Sequence, residues 1–143
     1  MSKFYITGTR RGLGKELEKK YGNCHSLEKC DIFINCKHNG FDQVDLLYKA
    51  AELDKRIINI GSNSGDETKK SPHIYAIEKI ALDKANEQLF YQGIHTTICR
   101  FGYFDTERVS HINKPKMSLE YVIDVIDWVL QQPYKVKEIT VVP

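Results

Sequence analysis

No apolar run in this sequence approaches the roughly 20 residues needed to cross a bilayer. Met1-Ser2-Lys3 leads straight into Phe4-Tyr5-Ile6 without the apolar core of a secretory signal. A soluble, cytoplasmic protein with no membrane partner is expected. Charge of one sign is also lacking: 21 Lys and Arg stand against 19 Asp and Glu, a net of +2. With no broad basic field to hold a polyanion, nucleic acid is not an expected partner. Cysteine is sparse, at Cys24, Cys30, Cys36 and Cys99, and without a secretory signal these read as reduced thiols, not a disulfide framework. Cys24, His25, Cys30, Cys36 and His38 match no common metal-knuckle spacing, and His73, His95 and His111 have no partner at ligand spacing, so no metal is expected. There is no internal repeat and no low-complexity tract.

The chain has 143 residues, 41% of them hydrophobic, enough for one domain over 1–143 with one ordinary core. Lys3 to Ile6 reads as a strand, followed by the glycine-rich Thr7-Gly8-Thr9-Arg10-Arg11-Gly12-Leu13-Gly14 and a helical stretch to Tyr21. Cys30 to Asn35 is a second strand. Phe41 to Leu53 follows with Val44, Leu47, Tyr48 and Ala51 at helical spacings. The β-branched run Arg56 to Ile60, ended by Gly61, leads to a helix over Tyr75 to Tyr91 with Ile77, Ala81, Ala85 and Leu89 along one stripe. His95 to Phe101 is strand-like, Ser118 caps a helix carrying Val122, Ile126 and Val129, and Glu138 to Val142 is a last strand. The alternation predicts right-handed crossovers and a mostly parallel sheet covered on both faces, with ligands beyond the carboxyl ends of the strands. Two loops at that end matter most, Ser62 to Ile74 and Gly102 to Met117. The second reads as a short, mobile cover.

A glycine turn between a strand and a helix presents backbone N–H groups at the positive end of the helix dipole, which suits a phosphate. The spacing is not the G-x-G-x-x-G fingerprint, so a plain tight turn is the competing reading. Arg10 and Arg11 suit either an extra phosphate or ordinary solvent exposure. Tyr75 and Lys79 are at i and i+4, so a phenol and an ammonium project from one helical face, and a nearby cation favours the phenolate and lowers its pKa. Such a tyrosine can exchange a proton with a carbonyl or alcohol oxygen. Ser62, 13 residues earlier and just past a strand, can hydrogen-bond the same oxygen. Cys99, beside Ile98 in a strand, reads as a core thiol.

Taken in order, Thr7-Gly8-x-x-x-Gly12-x-Gly14, Asn59-Ile60-Gly61-Ser62 and Tyr75-x-x-x-Lys79 resemble the short-chain dehydrogenases/reductases. The similarity continues through Asp31-Ile-Phe-Ile-Asn35-Cys36 and Arg100-Phe101-Gly102-x-x-x-Thr106 and covers nearly the whole chain. The size and spacing resemble very short members encoded by viruses of bacteria. The resemblance implies a three-layer, Rossmann-like α/β fold and an NADP(H)-dependent oxidoreductase acting on a small carbonyl or alcohol. By it, Ser62 polarises the substrate oxygen, Tyr75 is the general acid or base, and Lys79 tunes Tyr75 and holds the nicotinamide ribose. Asn39 falls nearest the family's catalytic asparagine. Cofactor contacts fall on Gly8, Thr9, Arg10, Arg11, Gly12, Leu13, Asn35, Cys36, Tyr75, Lys79, Gly102 and Thr106. A basic residue before the second glycine, here Arg11, goes with NADP(H) over NAD(H).

The sequence departs from that pattern between Gly14 and Asp31, where 16 residues lie. A full strand over Asn23 to Leu27 would require the chain to drop about 17 Å before Asp31, whereas four residue steps reach only about 14 Å. The family's second and third strands are therefore expected to be absent or vestigial, leaving about five main strands without the half that cradles adenosine. No carboxylate stands where one would bind the ribose of NAD. Cys36, Lys37 and His38 replace Asn-Ala-Gly, and Phe101 replaces proline, so the alternative is a non-catalytic relative that senses a nucleotide or a protein partner. The family counterparts of the helices Phe41 to Leu53 and Tyr75 to Tyr91 pack against a second subunit, and a bare first strand needs covering. Both imply a homodimer or homotetramer.

Overall fold

The computed structural model describes residues 1–66 and 72–143. Its order is β1 (Phe4–Ile6), α1 (Gly12–Tyr21), β2 (Ile32–Asn35), α2 (Asp42–Glu52), β3 (Arg56–Ser62), α3 (Ile74–Tyr91), β4 (Thr96–Phe101), a 3-10 turn (Glu107–Val109), α4 (Leu119–Gln131) and β5 (Glu138–Val141). All strand pairs are parallel, and the sheet order is β1-β2-β3-β4-β5. Five strands, four helices and three layers agree with the sequence.

The inner strands are β-branched on both sides because both sides are covered. Ile6, Ile34, Ile58, Ile60, Cys99 and Phe101 pack with Leu13 and Leu17 of α1 and Val122, Ile126 and Val129 of α4. Phe33, Ile57 and Ile98 pack on the opposite face with Leu47 and Ala50 of α2 and Leu82, Ala85 and Leu89 of α3. Every connection steps the same way across a parallel sheet, so helices on opposite faces belong to crossovers of opposite hand. The uniformly right-handed expectation is thus corrected: the α4 crossover is opposite in hand to those of α2 and α3, and the β1–β2 connection passes over both faces, with Cys24, Leu27 and Cys30 on the side of α2 and α3. Uniform crossovers in this strand order would place every helix on one face and leave the other bare.

Three further expectations are revised. Gly61 does not end β3, which continues to Ser62. A Cβ at Gly61 would lie 2.9 Å from the Ile98 side chain, so glycine lets β3 and its neighbour pack closely there. The buried stripe of α2 is Gln43, Leu47 and Ala50, and that of α3 includes Ala76, Lys79, Leu82, Ala85, Asn86 and Leu89, while Ile77 is exposed. Polar residues on the buried faces rotate both stripes away from the aliphatic count. Finally, β1 is the edge strand, but its edge is not bare. Asn23 Nδ2 donates to Ile6 O at 2.9 Å, Asn23 Oδ1 accepts from Ile6 N at 3.2 Å, and Cys24 N donates to Phe4 O at 2.8 Å. The segment after α1 thus closes the edge from within the chain. From there the chain passes to Asp31, whose N–H donates to Lys3 O at 2.8 Å, and into β2.

Candidate active site

At the carboxyl end of β1, Gly8 adopts φ +72°, a left-handed conformation that favours glycine. A Cβ on Gly14 would lie 2.0 Å from Gly8 O, so the start of α1 is pressed onto the turn and needs glycine there. Thr7 Oγ1 accepts from Cys36 N at 3.0 Å and Lys37 N at 3.1 Å, tying this turn to the loop after β2. Arg11, at the N-cap of α1, makes no side-chain cap, and the first turn holds no acidic residue. Arg10 and Arg11 are exposed beside it. An uncapped helix start with glycines in close contact and two guanidinium groups fits a phosphate or pyrophosphate. Leu13 is buried in the core, so only its backbone faces the turn.

Ser62, at the end of β3, is buried, and its Oγ accepts from Ser64 N at 3.0 Å. Tyr75, in the first turn of α3, lies beside it. Burial pushes the Tyr75 phenol up, while the neighbouring Ser62 hydroxyl and the charge of Arg108 pull the other way. Lys79 is one turn along α3 with its Nζ 5.7 Å from the Tyr75 ring centroid. Ser62, Tyr75 and Lys79 thus come together at one mouth. The electrostatics differ from expectation. Lys79 is not among the groups that lower Tyr75, because its ammonium turns inward, donating to Gln43 Oε1 at 2.8 Å and Ile60 O at 3.0 Å. Burial lowers Lys79 itself to about 8.

The residue that meets Lys79 is Gln43. Its Nε2 donates to Asn35 O at 2.9 Å and Ile60 O at 3.1 Å, so it bridges β2, β3 and α3. Asn39 does not take that place. It is exposed, and its amide donates to Asp42 Oδ2 at 3.0 Å. A polar residue on the Leu47–Ala50 stripe of α2 is the sequence signal that marks Gln43. Asn35 is fully buried; its amide donates to Gln43 O at 2.8 Å and Asn59 Oδ1 at 3.0 Å, which makes it a support for Gln43. Cys36 is half-buried, and desolvation pushes its thiol up to about 11, a poor nucleophile.

No local pattern in the sequence assigns chemistry to His38. Its Nε2 lies 3.2 Å from Glu78 Oε1, and its ring stands edge-on to Tyr75 with centroids 4.7 Å apart. Burial and the nearby Lys79 charge lower its pKa, against the pull of Glu78. Only the fold brings α3 onto the loop after β2, so no local pattern announces this pair.

The Gly102 to Met117 segment is closed at its base. Phe104 bridges Met117, Asp105 N donates to Met117 O at 2.8 Å, and Met117 N donates to Tyr103 O at 2.9 Å. Thr106 approaches Gly12 across the mouth, its Cγ2 3.7 Å from a Cβ built on that glycine. Gly102 is held by the last strand, its N–H donating to Val141 O at 3.0 Å. Of the Ser62 to Ile74 loop, residues 67–71 lie outside the described residues. Asp66 at its start pairs with Arg100 of β4, which also reaches Asp83 Oδ2 of α3 at 3.3 Å.

No protein-family profile matches the chain, and no curated protein matches it in sequence. Solved structures do match in fold. An NADPH-dependent reductase involved in bacilysin biosynthesis aligns with a TM-score of 0.74 and 14% identity, over 99% of this chain and 96% of that one. An alcohol dehydrogenase from the archaeon Thermococcus sibiricus, complexed with 5-hydroxy-NADP, gives 0.72 and 14%, over 99% and 96%. A short-chain dehydrogenase from Burkholderia cenocepacia, in complex with NADP, gives 0.70 and 13%, over 97% and 87%. The chain therefore has the Rossmann-like fold of the NAD(P)-dependent short-chain dehydrogenases. Among the described residues no helix is long and apolar enough to cross a membrane.

Proposed function

We propose that the protein is a nicotinamide-dependent oxidoreductase that reduces a small carbonyl compound, or oxidises the corresponding alcohol. The observation that carries this reading is the meeting of Ser62, Tyr75 and Lys79 at the carboxyl end of the sheet, opposite an uncapped glycine turn. The cofactor supplies the hydride when bound. Gly8, Thr9, Gly12 and the Leu13 backbone would hold its phosphates with Arg10 and Arg11, and Thr106 would close over it from the other wall. The two arginines favour NADP(H) over NAD(H).

Tyr75 donates its proton to the substrate oxygen in the reductive direction. Its raised pKa suits this role, because the phenol stays protonated at neutral pH. Ser62 Oγ hydrogen-bonds the same oxygen and orients it. Lys79, held by Gln43, places a cation next to the Tyr75 ring and within reach of a bound ribose.

One observation favours a second reading, a sensor without turnover. The Lys79 ammonium is satisfied inside the protein by Gln43 and Ile60 and is not among the groups that shift the Tyr75 phenol. Titration with NADPH and NADH, followed by fluorescence and by consumption of reduced cofactor with a panel of aldehydes and ketones, separates the two. Saturable binding with turnover supports the enzyme, and saturable binding without turnover the sensor. No binding of either nucleotide at millimolar concentration refutes both. Exposed Tyr48 of α2 and Ile77 and Tyr91 of α3 support a homodimer or homotetramer through those helices. A species of only 16.5 kDa in light scattering would contradict it.

A further inference from the structure

A doubly wound sheet binds a dinucleotide with two mononucleotide-binding halves that meet beside the first strand. Here one half is present. β2, β3 and β4 lie on one side of β1, with Ser62, Tyr75 and Lys79 at their carboxyl ends, and among the described residues no strand lies on the other side. Asn23 occupies that side, closing Ile6 N and Ile6 O, and its amide also donates to Glu18 Oε2 at 2.8 Å. The next residue, Cys24, takes Phe4 O. The chain then runs to Asp31 at the amino end of β1, where its N–H reaches Lys3 O. Among the described residues, no strand or helix rises beyond the carboxyl end of β1 on that side to form the wall and floor that a flat, apolar adenine needs. The Glu18 carboxylate lies beside Asn23, along the edge of β1.

We infer that the site is built for a nicotinamide mononucleotide unit, and that the adenosine of a dinucleotide stays in solvent beyond the glycine turn. This rests on the reading of the site as a nicotinamide site. Recognition of the cofactor then ends at the phosphate groups within reach of Arg10 and Arg11, the pyrophosphate and, in NADP(H), the 2′-phosphate, while the adenine and its ribose make few contacts. Removing the adenosine of NADH removes few contacts, so the reduced mononucleotide binds about as well as NADH.

Calorimetric titration of the whole protein with NADH, with reduced nicotinamide mononucleotide and with 5′-AMP tests this without any turnover. The expected result is a Kd for the reduced mononucleotide within fivefold of that for NADH, and no displacement of NADH by 5′-AMP at millimolar concentration. A mononucleotide that binds more than fivefold more weakly than NADH, or competition by 5′-AMP, overturns the inference and leaves the nicotinamide reading standing. Failure of both reduced nucleotides to bind overturns the nicotinamide reading, and the inference with it.

Discussion

Gln43→Leu removes the group that holds Lys79 and leaves a side chain of similar size in the same buried place. Three hydrogen bonds are lost: Lys79 Nζ to Oε1, and Nε2 to Asn35 O and to Ile60 O. A buried hydrogen bond to a charged group contributes about 1.5–3 kcal/mol and each neutral one about 1 kcal/mol. Leucine returns part of this as apolar burial, on the order of 1–2 kcal/mol. The expected net loss is therefore about 3 kcal/mol in the folded protein at neutral pH. With a urea slope of about 2 kcal/mol/M, the unfolding midpoint falls by about 1.5 M with the slope unchanged. The same change pushes the Lys79 pKa further below its present value of about 8, because an acceptor for the charged form is gone. Gln43→Glu does the reverse, since a carboxylate there favours the ammonium and lifts the pKa. Chemical denaturation reads the stability, and a pH titration of the Lys79 side chain by NMR reads the pKa. A Leu variant within 1 kcal/mol of the parent, or Leu and Glu variants that move the Lys79 pKa the same way, would refute the assignment of Gln43 as its anchor.

Burial depresses Lys79 from 10.5 to about 8, so the unfolded chain binds more protons between those values, and this group makes stability rise with pH across that window. Relative to Lys79→Met, the parent should gain about 3 kcal/mol from pH 8 to 10.5, read from denaturation midpoints, and a flat difference would contradict the depressed value. Asn23→Ala uncovers the N–H and C=O of Ile6 on the β1 edge; a loss of about 2 kcal/mol is expected, with concentration-dependent association in light scattering. Unchanged stability would mean that the edge is closed by something else. Gly14→Ala places a methyl group 2.0 Å from Gly8 O, and a loss of about 3 kcal/mol together with weakened nucleotide binding is expected. A variant with parental binding would show that the turn is not the phosphate site.

The strands were legible because each is a short run of β-branched and aromatic residues bounded by polar segments, and that signal survives without tertiary information. The glycine turn, Ser62 and the Tyr75–Lys79 pair were legible for a similar reason, since each is defined by local spacing. The buried faces of α2 and α3 were misplaced because periodicity counts aliphatic residues, whereas Gln43, Lys79 and Asn86 are buried by their hydrogen bonds. Asn86 Oδ1, for instance, accepts from Asn59 Nδ2 at 3.1 Å and Thr96 Oγ1 at 2.7 Å. His38 and Glu78 meet only when α3 packs against the loop after β2, 40 residues apart in the chain. The closure of the β1 edge was beyond reach because a side-chain amide there imitates strand pairing, and asparagine after a helix reads first as a turn. The dependence of Tyr75 on its surroundings was misjudged because adjacency on a helix does not say which way an ammonium points.

The most direct measurement is a paired one on Tyr75→Phe, comparing calorimetric binding of NADPH with single-turnover oxidation of the bound cofactor by an accepted carbonyl compound. Loss of the phenolic proton should leave the Kd within about threefold and slow the turnover by about 10²–10⁴. Turnover at the parental rate would contradict the role given to that hydroxyl.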